Sequence, residues 1–224
     1  MELSLRLRPG DYSTIFTSPS PNNCQIMKHL LAVPPPCQFS ADVTFLVDSS
    51  GNTDDNYFAK QKTFVKVMKK SSGPNWRSAI VTYGESASVE ASLSQFPNTT
   101  DFEKAVDKIA KDKDGKKVVQ LDKAMNLAAS DVFSNARPGV SKLAVVLTDG
   151  SPTSGSNALE VKRAFEASRK ADVRVVTLGI GKGIDVNEWS GMAENLIQLK
   201  DSQDLTFKIR DIAATVCAAA GKNT

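Results

Sequence analysis

Histidine is almost absent from this chain of 224 residues: His29 stands alone. A Ser-His-Asp relay cannot be assembled from the core segments, because His29 lies in a stretch rich in turn-forming residues. Zinc chemistry lacks its ligands too, since the three cysteines, Cys24, Cys37 and Cys217, form no close-spaced cluster. No run of eighteen apolar residues occurs, so no membrane-spanning helix is expected. Neither sign of charge dominates. The 28 Lys and Arg against 25 Asp and Glu leave a net +3, which argues neither for nor against a polyanionic partner. The lysine-rich run 108–117 is interrupted by Asp112 and Asp114 and holds no aromatic ring. It reads as a solvated face, because a nucleic-acid surface needs uninterrupted cations and stacking platforms. These gaps leave an enzyme as the weak reading.

What the chain does have is enough apolar sequence for one sizeable core. Its 41% hydrophobic and 24% charged residues are those of an ordinary globular protein. Residues 1–36 differ from the rest, with Thr17 to Asn23 and Pro34-Pro35-Pro36 supplying turn and linker chemistry. We expect an N-terminal extension or linker over 1–36, a single domain over 37–220 and a short tail over 221–224. Met27 to Val33 begins like a signal peptide, but its apolar run is too short for one.

Residues 41–52, ADVTFLVDSSGN, organise the domain. The first part has the apolar, β-branched composition of a strand covered on both faces. Asp48, Ser49, Ser50 and Asn52 follow at once, with Gly51 permitting a tight turn. In an open parallel sheet, ligands bind beyond the carboxyl ends of the strands. A hard cation such as Mg2+ takes oxygen donors, commonly one or two carboxylates with hydroxyls and water. Asp48, Ser50 and Asn52 offer a carboxylate, a hydroxyl and an amide oxygen from one loop. Spacing alone leaves open that Asp48 and Ser50 merely cap the next helix. A second buried strand, Leu143 to Thr148, ends in Asp149-Gly150 and brings a second carboxylate to the same edge.

FLVDSSGN together with VVLTDGSPTSG resembles the von Willebrand factor type A domain, the fold of integrin inserted domains and matrilins. The likeness spans roughly residues 38–220 in order. It implies an α/β, doubly wound, mostly parallel central sheet of about six strands, with helices on both faces and one antiparallel edge strand. It also implies a metal-ion-dependent adhesion site on the upper edge, patterned Asp-x-Ser-x-Ser, then a Thr, then an Asp. Asp48 and Ser50 match the first loop and Asp149 the third. Asn52 stands where the family has Ser, and Val119 where it has Thr, so the site reads as partly eroded. The implied cofactor is Mg2+, with Mn2+ or Ca2+ as substitutes. A disulfide joining Cys37 to Cys217 is likewise implied, and with it an oxidising compartment; two reduced thiols are the alternative. Cys24 is then left free or paired with another chain.

The implied role is an extracellular adhesion or matrix-binding module, secreted to the matrix, whose partner is collagen-like or another matrix macromolecule. The alternative is a structural, self-assembling matrix component with a vestigial metal site, chains being linked through Cys24.

The remaining segments fit that frame. Residues 54–70 carry Phe58, Phe64, Val65 and Met68 at helical spacing, and Trp76 to Tyr83 reads as a strand. Ala87 to Leu93 alternates like a short edge strand. Asn98-Thr99-Thr100 is a glycosylation acceptor pattern at Asn98. Thr100 with Glu103 predicts a capping box for the helix that buries Phe102, Val106 and Ile109. Leu121, Met125, Ala128 and Val132 predict one helix. Val161, Ala164 and Phe165 mark another, and Leu205, Ile209, Ile212 and Val216 a closing one. Gly179-Ile180-Gly181-Lys182-Gly183 invites a phosphate-cradle reading, but it follows a late strand and lacks a Walker Ser or Thr. Nucleotide binding is set aside.

Overall fold

The computed structural model describes residues 37–51, 53–113, 119–151, 158–193 and 195–221. The extension 1–36 with Cys24, and Asn52, lie outside them. The strands are β1 (Ala41–Asp48), β2 (Trp76–Tyr83), β3 (Ala87–Ala91), β4 (Ser141–Thr148), β5 (Val173–Ile180) and β6 (Asn195–Leu199). They form one sheet in the order β3-β2-β1-β4-β5-β6. Every neighbouring pair is parallel except β2 with β3. The strand order reverses direction on either side of β1, and such a switch point opens a crevice at the carboxyl edge.

Both faces are covered, which is why β1 is buried along its whole length. One face receives α1 (Asp55–Ser71), α2 (Thr99–Lys108), α6 (Asp204–Phe207) and α7 (Ile209–Gly221). Phe64, Val65, Phe102 and Val216 pack there on Val43, Phe45 and Val47. The other face receives α3 (Leu121–Leu127), α4 (Ala158–Lys170) and α5 (Val186–Ser190), with Met125, Phe165 and Trp189 against Leu46, Ala144 and Val146. Each such buried side chain contributes about 1.5–3 kcal/mol relative to exposure.

Four local features depart from the expectations. The cap of α2 is Asn98, whose side chain accepts from Asp101 N, so the helix starts ahead of Thr100 and no capping box forms there. The stripe from Leu121 to Val132 stays buried, but the backbone widens into a π turn at Ala128–Val132 and tightens to a 3-10 turn at Phe133–Asn135. The closing helix is broken at Lys208 into α6 and α7. Edge strand β3 stops at Ala91, although Leu93 is also buried.

The lower edge, where the parallel strands begin, is fastened twice. Cys37 and Cys217 are bridged across a separation of 180 residues. Closing so long a loop stabilises by about 5 kcal/mol in the chain-entropy model. Beside it, buried Asp42 accepts from Arg137 backbone N (2.6 Å) and Nε (2.9 Å) and pairs with its Nη2 (2.8 Å).

Candidate metal centre

Strands β1 and β4 run side by side with Val47 level with Leu147, so they end together and deliver Asp48 and Asp149 to one edge. Asp48 is 2% exposed, whereas Asp149 is exposed. Asp48 Oδ1 accepts from Ser50 N (3.0 Å), Ser50 Oγ (2.7 Å) and Thr53 Oγ1 (3.1 Å). Ser50 Oγ and Thr53 Oγ1 lie 2.8 Å apart. The three bonds all fall on one carboxylate oxygen. The backbone of Asp48 is clamped by Gln61, whose Oε1 accepts from Asp48 N and whose Nε2 donates to Asp48 O, both at 3.0 Å. Tyr83 reaches under the site to donate from its hydroxyl to Leu147 O at 2.5 Å.

Electrostatics mark the pair as under strain. Burial pushes the Asp48 carboxyl above its usual range, opposed by the hydrogen bonds of Ser50 and Thr53, while the charge of Asp112 adds to the rise. The Asp149 carboxyl is pushed up to about 6, first by lost hydration and then by the charge of Asp48. Such mutual repulsion places the two carboxylates in one electrostatic neighbourhood. Among the described residues, no Lys or Arg pairs with either of them.

The walls come from other segments. Gln120 N donates to Gly84 O (3.0 Å) and Asp112 N to Ser49 O (2.8 Å), drawing two further loops against the first. Gly84 has to be glycine for this: a Cβ there would meet Asp112 Oδ2 at 2.1 Å and Ser50 Cα at 3.0 Å. Val119 is half-buried and packs against the second core face, offering no oxygen. Behind Asp149, Trp189 Nε1 donates to Gly150 O (3.1 Å) and Ser151 Oγ to Glu188 (2.6 Å). The glycine-rich segment serves here as well, because a Cβ on Gly183 would lie 2.5 Å from Asp149 O. Its glycine permits close packing against the third loop.

The structure thus brings together Asp48, Ser50 and Asp149 of the sequence-derived set, while Asn52 lies outside the described residues. Thr53, Gln61 and Tyr57 were not singled out by the sequence. Tyr57 and Gln61 share the helical spacing of Phe64, Val65 and Met68, a signal that their polarity obscures. Among the described residues, no three His, Cys, Asp or Glu side chains converge. Two carboxylates with hydroxyls are the donor chemistry of Mg2+, which keeps several waters when bound. Away from this edge, Asn98 is exposed; its Oδ1 accepts from Asp101 N (2.8 Å) and its Nδ2 donates to Asp101 Oδ2 (2.8 Å).

Comparison with known proteins agrees with this architecture. Cuticlin-6 of Caenorhabditis elegans is 28% identical over 163 residues, covering 71% of this chain and 27% of that protein. Matrilin-1 of Gallus gallus is 27% identical over 147 residues, covering 64% and 29%. Among solved structures, proximal thread matrix protein 1 from the mussel byssus, with a zinc-occupied MIDAS motif, superposes with a TM-score of 0.71 at 22% identity, over 83% of this chain and 47% of that one. The chain therefore spans less than half the length of each of these relatives, which include matrix proteins. The family model for the von Willebrand factor type A domain matches residues 42–215. The chain belongs to the von Willebrand factor type A domain family.

Proposed function

We propose that this domain is an extracellular, secreted adhesion module that engages a matrix macromolecule, collagen-like or other, at the upper edge of its sheet, and that it is not an enzyme. The observation that carries this is Asp48: a carboxylate 2% exposed, whose hydrogen bonds all come from neutral donors, beside the strand that delivers Asp149. A buried anion with no cationic partner is costly, and a bound divalent cation removes that cost. Asp48, Ser50 and Asp149, with Asn52, would hold Mg2+, or Mn2+ or Ca2+ in its place. Bound there, the ion would offer an open coordination position to a carboxylate of the partner. Support for a matrix setting comes from the relatives and from the Cys37–Cys217 bridge, which suits an oxidising compartment. In the same setting Asn98 would be a glycan acceptor, and residues 1–36 a linker to the domain over 37–220.

Calorimetric titration with Mg2+ or Mn2+ tests the site: heat is expected from the native domain and none from Asp48→Ala. Identical heat from both would remove the assigned ligands. Equal binding to matrix surfaces with and without chelator would keep the module and discard the cation.

A second reading is self-assembly. Cys37 and Cys217 are joined, which leaves Cys24 as the odd cysteine of the three. Non-reducing electrophoresis would then show a ladder that disappears in Cys24→Ser; a ladder-free native protein ends that reading.

A further inference from the structure

Tyr57 is 4% exposed, yet its hydroxyl has no hydrogen-bond partner. An unpaired buried hydroxyl costs about 1–3 kcal/mol, so its persistence calls for an explanation. Its position supplies one. Tyr57 precedes Gln61 by four residues on α1, and helix neighbours four apart lie on one face about 5–6 Å from each other. Gln61 is fixed to the backbone of Asp48 by two hydrogen bonds of 3.0 Å. Helix α1 starts at the upper edge, directly after the Asp48–Ser50 loop and its cap Asp54, and runs downward. Tyr57 therefore stands one turn above Gln61, at the level of the carboxylates. Burial holds its phenol protonated, reinforced by the carboxylates of Asp48 and Asp149.

We propose that Tyr57 is a positioning residue of the cation site, its hydroxyl holding a water of the cation's shell from the α1 side and so supplying the oxygen that Val119 does not bring from the second loop. A neutral phenol suits this place because it can accept from a cation-bound water while donating to a carboxylate. A Val-bearing second loop and a Tyr-bearing first helix are then two halves of one rearranged site. This inference rests on the cation reading given above.

The test compares the native domain, Tyr57→Phe and Asp48→Ala by Mn2+ calorimetry, and by thermal unfolding with Mn2+ and with chelator. In chelator, Tyr57→Phe should unfold at the same temperature as the native domain or higher, since it loses only an unpaired group. Its Mn2+ affinity should fall about tenfold, the lower end of what outer-sphere partners contribute, and its Mn2+-induced rise in Tm should shrink accordingly. Two results overturn the proposal while leaving the cation site standing: native Mn2+ affinity in Tyr57→Phe, or a loss of stability in chelator with affinity unchanged. If the native domain takes up no Mn2+, or Asp48→Ala binds it equally well, the cation reading fails and the role of Tyr57 fails with it.

Discussion

Strand β1 carries an aspartate at each end, and the two are buried to nearly the same degree: Asp42 is 0% and Asp48 2% exposed. Their surroundings differ in kind. Asp42 meets a guanidinium, with Arg137 contributing Nε, Nη2 and a backbone N while Nη2 also ties down the carbonyls of Ala41 and Asn75. Asp48 meets only an amide and two hydroxyls. One strand thus shows a buried carboxylate completed from within and another completed only in part. Equal burial does not mean equal satisfaction, and the unsatisfied end is where a ligand has something to contribute.

The largest expected effect tests the completed end. Arg137→Ala should cost about 3–5 kcal/mol in urea unfolding, because it strands the Asp42 charge in the interior. Asp48→Asn, measured in chelator, should stay within about 1 kcal/mol of native, since it removes a charge that no cation balances. A loss in Asp48→Asn as great as in Arg137→Ala would erase the distinction between the two ends.

A second effect comes with pH. Asp149 titrates near 6 in the folded domain against 3.8 for the free group, and Asp48 is also raised. Folded carboxylates of this kind bind protons more tightly than unfolded ones. Their contribution in the absence of cation therefore opposes folding above pH 6 and is relieved as pH falls from 6 toward 3.8. Cation binding runs the other way: Mn2+ affinity should weaken as pH drops through 6, with Asp149→Asn showing a flatter profile. Calorimetry at neutral and mildly acidic pH checks the sign. An affinity independent of pH would place the bound cation elsewhere.

The smallest effect lies away from both ends and serves as a scale. Asn98→Ala removes the cap of α2 and should cost about 1 kcal/mol by denaturant unfolding, with Mn2+ affinity unchanged. Coupling between this cap and the cation would contradict a site confined to the upper edge.

Much of the frame could be read from residues. β2 runs from Trp76 to Tyr83, as its composition predicts, because an apolar and β-branched run bounded by turn residues leaves little choice. The doubly wound sheet came instead with the family resemblance carried by FLVDSSGN and VVLTDGSPTSG, and the strand order agrees with it. The start of α2 was misread because Asn98, Thr99 and Thr100 all qualify as caps, and the capping-box rule selects Thr100 where the structure uses Asn98. The Asp42–Arg137 pair left no local trace, since its members are 95 residues apart. Asp48, Ser50 and Asp149 were legible as motifs. Gln61 and Tyr57 were not, because a polar group on a buried helix face looks like an interruption of the stripe until its target is seen.

The bridge between Cys37 and Cys217 also decides how the domain bears load. Tension entering before Cys37 and leaving after Cys217 would travel through one covalent link, and the segment between them, 180 residues in separation, would feel none of it. Pulled from its two ends, such a domain would transmit force without lengthening, and its upper edge would keep one shape under load.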